Sequence, residues 1–161
     1  MTIREMNSTG QPGKTGSPAT ILVVDDNKGV LDFLLLLLSK NGLSVTGASS
    51  GAECLEIVKS RHVDLMILDV MMPVMDGLEV CRELKRIAPS LPVILLTAKD
   101  DLATRAAAMT LGVSEFLAKP VNIEDFLTRV RTQLSICGWE KSIEAAFSTI
   151  PKQSNSAAGK A

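Results

Sequence analysis

Apolar residues in this chain gather in short runs separated by polar turns and helical spacing. The runs are "TILVV" (20–24), "LSVTGA" (43–48), "DLMILD" (64–69), "LPVILLT" (91–97) and "SEFLA" (114–118). Most are apolar at successive positions rather than alternate ones, which marks strands covered on both faces. Between them the spacing turns helical, over about Lys28–Lys40, from Ser50 through Ser60, Leu78–Ile87, Asp100 or Asp101 to Leu111, and Ile123–Ile136. Asn41-Gly42 supplies a helix stop, because glycine tolerates the left-handed backbone such a stop needs. Ser50 and Asn122 are placed as N-caps, and Ala52, Leu55, Ile57 and Val58 are expected to face inward.

Five strands alternating with five helices predict an α/β fold: a doubly wound parallel sheet in a three-layer α/β/α sandwich. Right-handed β-α-β connections place functional groups at the carboxyl ends of the strands. The pattern bounds one domain at 20–137. Residues 1–19, rich in Gly, Ser, Thr and Pro, read as a disordered arm. Their "GQPGKTG" is no phosphate loop, because Ser8 stands where the first Gly is required and no strand precedes it. In 138–161, Trp139, Ile143, Phe147 and Ile150 share one helical face, so a short amphipathic helix and a flexible tail are expected. That helix is open to packing on the domain, self-association or a linker role.

The first helix is apolar on nearly every side. Leu31, Leu34, Leu35 and Leu38 form its stripe with Phe33 and Leu37 beside it, whereas Leu36 shares a side with Asp32 and Ser39. Either the helix is buried more widely than usual or Leu36 belongs to a docking patch.

Composition narrows the classes. A chain of 161 residues buries roughly 70% of its unfolded surface. With 46% apolar and 22% charged residues and a net charge of −1, it has no electrostatic reason to favour nucleic acid or an anionic membrane. Cysteines 54, 81 and 137 form no C-x-x-C pair and read as small hydrophobes. His62, the only histidine, is expected in a solvated turn without a role, which removes most zinc sites and histidine dyads. No signal peptide is visible, and Val30–Leu38 is too short for a membrane span of about 20 residues. A reduced, cytoplasmic setting follows.

Candidate chemistry sits where the strands stop. Asp25 and Asp26 end the first, Asp69 the third, Thr97 the fourth, and Lys119 follows the fifth. Three carboxylates at one rim would repel by about 4 kcal/mol per pair at about 4 Å and an effective dielectric near 20. A hard divalent cation removes that cost, and Mg2+ prefers one or two carboxylates, water and a phosphate oxygen. A metal, an ammonium, a hydroxyl and a carboxylate nucleophile suit phosphoryl transfer to an aspartate.

In order, "VVDD", "LMILDVMMPVMDG", "VILLTA" and "EFLAKP" resemble the receiver domain of two-component response regulators, over residues 20 to about 137. The resemblance implies the flavodoxin-like strand order 2-1-3-4-5. It implies Asp69 as phospho-acceptor, served by a histidine kinase, a histidine phosphotransfer protein or a small phosphodonor. Asp26, Asp69 and the backbone carbonyl of Met71 would bind Mg2+ directly, and Asp25 through water. Lys119 would bind the phosphoryl group and precede a cis Pro120; Thr97 and Phe116 would form the switch pair. Phosphorylation would then act as a local charge event on a surface of helix 4, strand 5 and helix 5. The implied partners are that phosphodonor, a downstream protein and a possible homodimer on phosphorylation, with no direct DNA or membrane contact. The protein would be a signalling phosphoacceptor that catalyses only its own phosphorylation and dephosphorylation, not an enzyme. Departures are Val121 after Lys-Pro and Phe116 in place of the usual Tyr, while Met71 and Lys99 hold the variable positions lining the site. An aspartyl-phosphate phosphatase of haloacid dehalogenase type is the alternative, but it would carry D-x-D on the first strand. A flavin binder is disfavoured by the acidic loop after that strand.

Overall fold

The computed structural model describes residues 18–98 and 101–136. Its elements are β1 (Thr20–Val24), α1 (Lys28–Lys40), β2 (Ser44–Ala48), α2 (Gly51–Ser60), β3 (Leu65–Asp69), α3 (Gly77–Ile87), β4 (Val93–Ala98), α4 (Leu102–Thr110), β5 (Glu115–Lys119) and α5 (Ile123–Leu134). The strands form one parallel sheet in the order β2-β1-β3-β4-β5. All five residues of β3 are buried, as expected of a central strand under helices on both faces.

Alternation along each strand divides the core in two. Ile21, Val23, Leu65, Ile67, Ile94 and Leu96 pack with α1 and α5, through Leu34, Leu38, Phe126 and Val130. Leu22, Val24, Met66, Leu68 and Leu95 pack with α2, α3 and α4, through Cys54, Leu55, Val80, Leu84 and Ala108. Each fully buried Leu, Ile or Phe adds about 1.5–3 kcal/mol relative to exposure.

Local chemistry sets the helix starts. Asn27, Ser50, Asp101 and Asn122 each accept a backbone N–H three residues on. Asp76 and Glu79 close a capping box, each side chain accepting from the other's backbone at 2.9 Å. Asn41 caps the end of α1, and Gly42 follows at φ +84°.

Several expectations shift. Ala52 faces solvent, and Cys54 takes the inward place beside Leu55, with Ile57 and Val58 half-buried. α5 ends at Leu134 rather than Ile136, and β5 reaches Lys119. On α1, Leu31, Leu34 and Leu38 are buried while Leu36 is 57% exposed and Phe33 47%. Residues 1–17, Lys99, Asp100, Cys137 and the proposed helix from Trp139 to Ile150 lie outside the described residues. No helix among the described residues is long and apolar enough to cross a membrane.

Candidate phosphoacceptor site

The carboxyl ends of β1 and β3 and the end of β5 meet at one rim. Asp25 is fully buried because it follows β1 directly, and its Oδ1 accepts the Asn27 N–H at 2.8 Å. That bond holds the turn into α1 and fixes the carboxylate. Asp26 is solvent-exposed. One carboxylate oxygen from each of Asp25, Asp26 and Asp69 lies within 4.8 Å of the others.

Lys119 reaches this cluster from β5. Its Nζ lies 3.2 Å from Asp69 Oδ1 and 3.5 Å from Asp25 Oδ2. Two of the three carboxylates thus share one ammonium, and Asp26 has no part in that pairing. Burial, then the Asp25 carboxylate, push the Asp69 carboxyl above its ordinary value, against the pull of Lys119 and the Met71 N–H. Burial alone would lower Lys119, but Asp69 and Asp25 outweigh it and hold the ammonium above its ordinary value. The peptide bond between Lys119 and Pro120 is cis.

Gly77 brings α3 against the end of β3. A Cβ there would stand 2.7 Å from the Asp69 carbonyl oxygen and 2.8 Å from the Val70 Cα, both backbone atoms that cannot move aside. The Gly77 N–H donates to the Val70 carbonyl at 2.8 Å. In the loop between, Met71 is 70% exposed and Val74 projects fully into solvent. Val74 has φ +70°, and the Met75 N–H donates to the Pro73 carbonyl across it. Such a γ-turn is rare and strained, the more so on a β-branched residue.

Thr97 and Phe116 do not join the charged cluster. Thr97 is buried, but its hydroxyl donates to the Ala98 carbonyl at 2.7 Å. The Phe116 ring is half-buried under α4, with Arg105 over it. The sequence reading singled out neither Gly77 nor Arg105. A glycine directly after a capping Asp is a weak sign of close helix–strand approach, and nothing local announces a cation over a ring eleven residues away. It also assigned His62 no role; that side chain is half-exposed yet pairs with the buried Asp64.

The sheet order is flavodoxin-like, and its strand ends hold a lysine-bridged acidic cluster. The chain belongs to the response regulator receiver domain family, whose model matches residues 21–131. It is 44% identical over 117 residues to Response regulator MprA of Mycobacterium sp. (strain KMS), covering 73% of this chain and 51% of that protein. It is 45% identical over 114 residues to the Response regulator MprA of Mycobacterium avium (strain 104), covering 71% and 50%. The chain spans about half the length of these curated relatives. Among solved structures it resembles a putative response regulator from Chloroflexus aurantiacus J-10-fl, with TM-score 0.70, 33% identity, and 74% and 99% of the two chains covered. A CheY-like receiver domain protein from Methanospirillum hungatei JF-1 matches with TM-score 0.73, 27% identity, and 77% and 99% covered. The domain is therefore a receiver of two-component signalling, and the haloacid dehalogenase alternative is left without support.

Proposed function

We propose that Asp69 accepts a phosphoryl group from a phosphohistidine of a kinase or phosphotransfer protein, and that the acquired charge resets the α4, β5 and α5 surface. The observation that carries this is the shared Lys119 ammonium, bonded to the buried Asp69 and Asp25 at once. In the transfer, an Asp69 oxygen forms the new P–O bond as the donor's P–N bond breaks and the imidazole leaves. Lys119 is placed to follow the phosphoryl oxygens, since its Nζ already lies beside the acceptor carboxylate. The Thr97 hydroxyl would leave the Ala98 carbonyl for a phosphoryl oxygen, and the Phe116 ring would turn inward.

The donor set fits Mg2+: hard oxygens, three close carboxylates and too little positive charge. Asp26, Asp69 and the Met71 carbonyl would hold it, with Asp25 acting through water. When bound, the metal neutralises charge on the transferring group. The protein on this reading is a signalling phosphoacceptor that acts only on itself, in the cytoplasm. Exposed Phe33 and Leu36 on α1 offer apolar contact to the phosphodonor protein, and exposed Leu102 and Met109 on α4 to a downstream partner or a second copy.

Intact mass after acetyl phosphate and Mg2+ tests the reading. A single phosphoryl addition is expected in the wild type and none in Asp69→Asn or without Mg2+. Equal labelling of Asp69→Asn would remove Asp69 from the role.

A further inference from the structure

α4 has the sequence LATRAAAMT, so Arg105 is its one charged side chain. Leu102, Ala103, Ala106 and Met109 face solvent, whereas Arg105 turns back toward the sheet. Its guanidinium carbon stands 5.7 Å from the centroid of the Phe116 ring, within cation–π range. Its Nε is buried and has no hydrogen-bond partner among the described residues. A buried donor without an acceptor is unfavourable. Besides the attraction of the Asp101 carboxylate one turn earlier, contact with the ring is a favourable interaction offered to this guanidinium.

Strand register explains why the contact matters. Phe116 lies opposite Leu95, and Thr97 lies opposite Ala118. Side chains alternate along a strand, so Leu95, Thr97, Phe116 and Ala118 all face the α4 side. Thr97 and Phe116 are thus diagonal neighbours, and Arg105 covers the ring from the helix above.

We propose that Arg105 is a positioning residue for the switch: its guanidinium holds the Phe116 ring in the half-buried place seen here and so opposes the inward turn. The inference rests on the phosphoacceptor reading and deepens it. A ligand that requires the inward ring binds with its intrinsic affinity reduced by the fraction of molecules in that state. Removing the cation raises that fraction without touching the acidic site.

Calorimetric titration of the full chain with beryllofluoride in Mg2+ tests this. Wild type should bind and Asp69→Asn should not; loss of wild-type binding would overturn the phosphoacceptor reading itself. Given wild-type binding, Arg105→Met should bind about two- to fivefold tighter, the range expected for removing a cation–π contact. Arg105→Lys should stay within about a factor of two of wild type, since it keeps the cation. In a Phe116→Leu background, Arg105→Met should change nothing. Unchanged or weaker binding by Arg105→Met, or the same tightening without the ring, would overturn the latch. Should Arg105→Met fail to fold, 4-fluorophenylalanine at position 116 weakens the same contact with Arg105 in place. Tighter binding is then expected, and no change overturns the proposal.

Discussion

β3 starts just after one buried carboxylate and ends on another, and the two are differently satisfied. At the base, Asp64 accepts the Thr20 N–H on Oδ2 at 2.8 Å and pairs with His62 Nε2 on Oδ1 at 2.7 Å. Its own N–H donates to the Thr20 carbonyl at 2.8 Å, so the carboxylate and its backbone tie the start of β1 to β3. At the rim, Asp69 faces two further carboxylates and shares one ammonium with Asp25. Both are nearly inaccessible, so burial does not distinguish them. Charge balance does. The base is a closed knot of donors and acceptors; the rim holds negative charge that the protein leaves uncompensated, which is what a cation and a phosphoryl group can use.

The sharpest way to break that contrast is to exchange the roles of the two residues. Asp69→Asn should abolish acetyl phosphate labelling, and Asp64→Ala should leave it intact. Stability should respond in the opposite sense. A carboxyl whose folded value is raised contributes stability that is present below its ordinary value of 3.8 and lost as pH rises through the folded value. At neutral pH without Mg2+ the Asp69 carboxyl is therefore a burden, and Asp69→Asn should unfold at higher urea than wild type. That advantage should shrink as pH falls toward 3.8. Advantage at every pH alike would mean that the charge cluster is not its source.

Asp64→Ala should cost about 1 kcal/mol by urea unfolding, because the Thr20 N–H loses its acceptor at a half-buried strand start. A loss of labelling in that variant, with the fold intact, would join base and rim into one functional unit and dissolve the comparison.

The rim was legible in sequence because its residues interrupt apolar runs. Asp25, Asp69 and Thr97 each stand where a strand has to stop, so the strand-end rule gathers them without knowledge of any contact. Lys119 follows the same logic on the last strand. The base was not legible: Asp64 reads as the polar start of a strand and His62 as a turn, and Thr20, which donates to Asp64, is 44 residues away from it. Ala52 was misplaced for a related reason. Helical period alone puts several small residues near the boundary of a face, and the packed helix buries Cys54 instead. The positive φ at Val74 has no compositional sign at all, since valine is among the residues least suited to it.

Val74 gives an effect of similar size. The strained turn belongs to the rim, and the base has no counterpart among the described residues: Val74 is the single non-glycine with positive φ there. The side chain is fully exposed and gains nothing from packing. Val74→Gly should therefore stabilise the protein by about 1 kcal/mol, the relief of strain exceeding the extra entropy of glycine in the unfolded chain. Denaturant midpoints at constant slope measure it. Destabilisation would mean that the turn is held by contacts of Val74 itself.

His62→Ala probes the base most gently. The imidazole is half-exposed while Asp64 is 7% exposed, so solvent screens one side of the pair. Such pairs contribute about 0.5 kcal/mol, and Asp64 keeps its bond to the Thr20 N–H without the ring. Urea unfolding should show a loss of that size, with labelling at Asp69 unchanged. A loss several times larger would show that Asp64 depends on the imidazole as Asp69 depends on Lys119. The two ends of β3 would then share one design, and uncompensated charge would no longer separate the structural carboxylate from the chemical one.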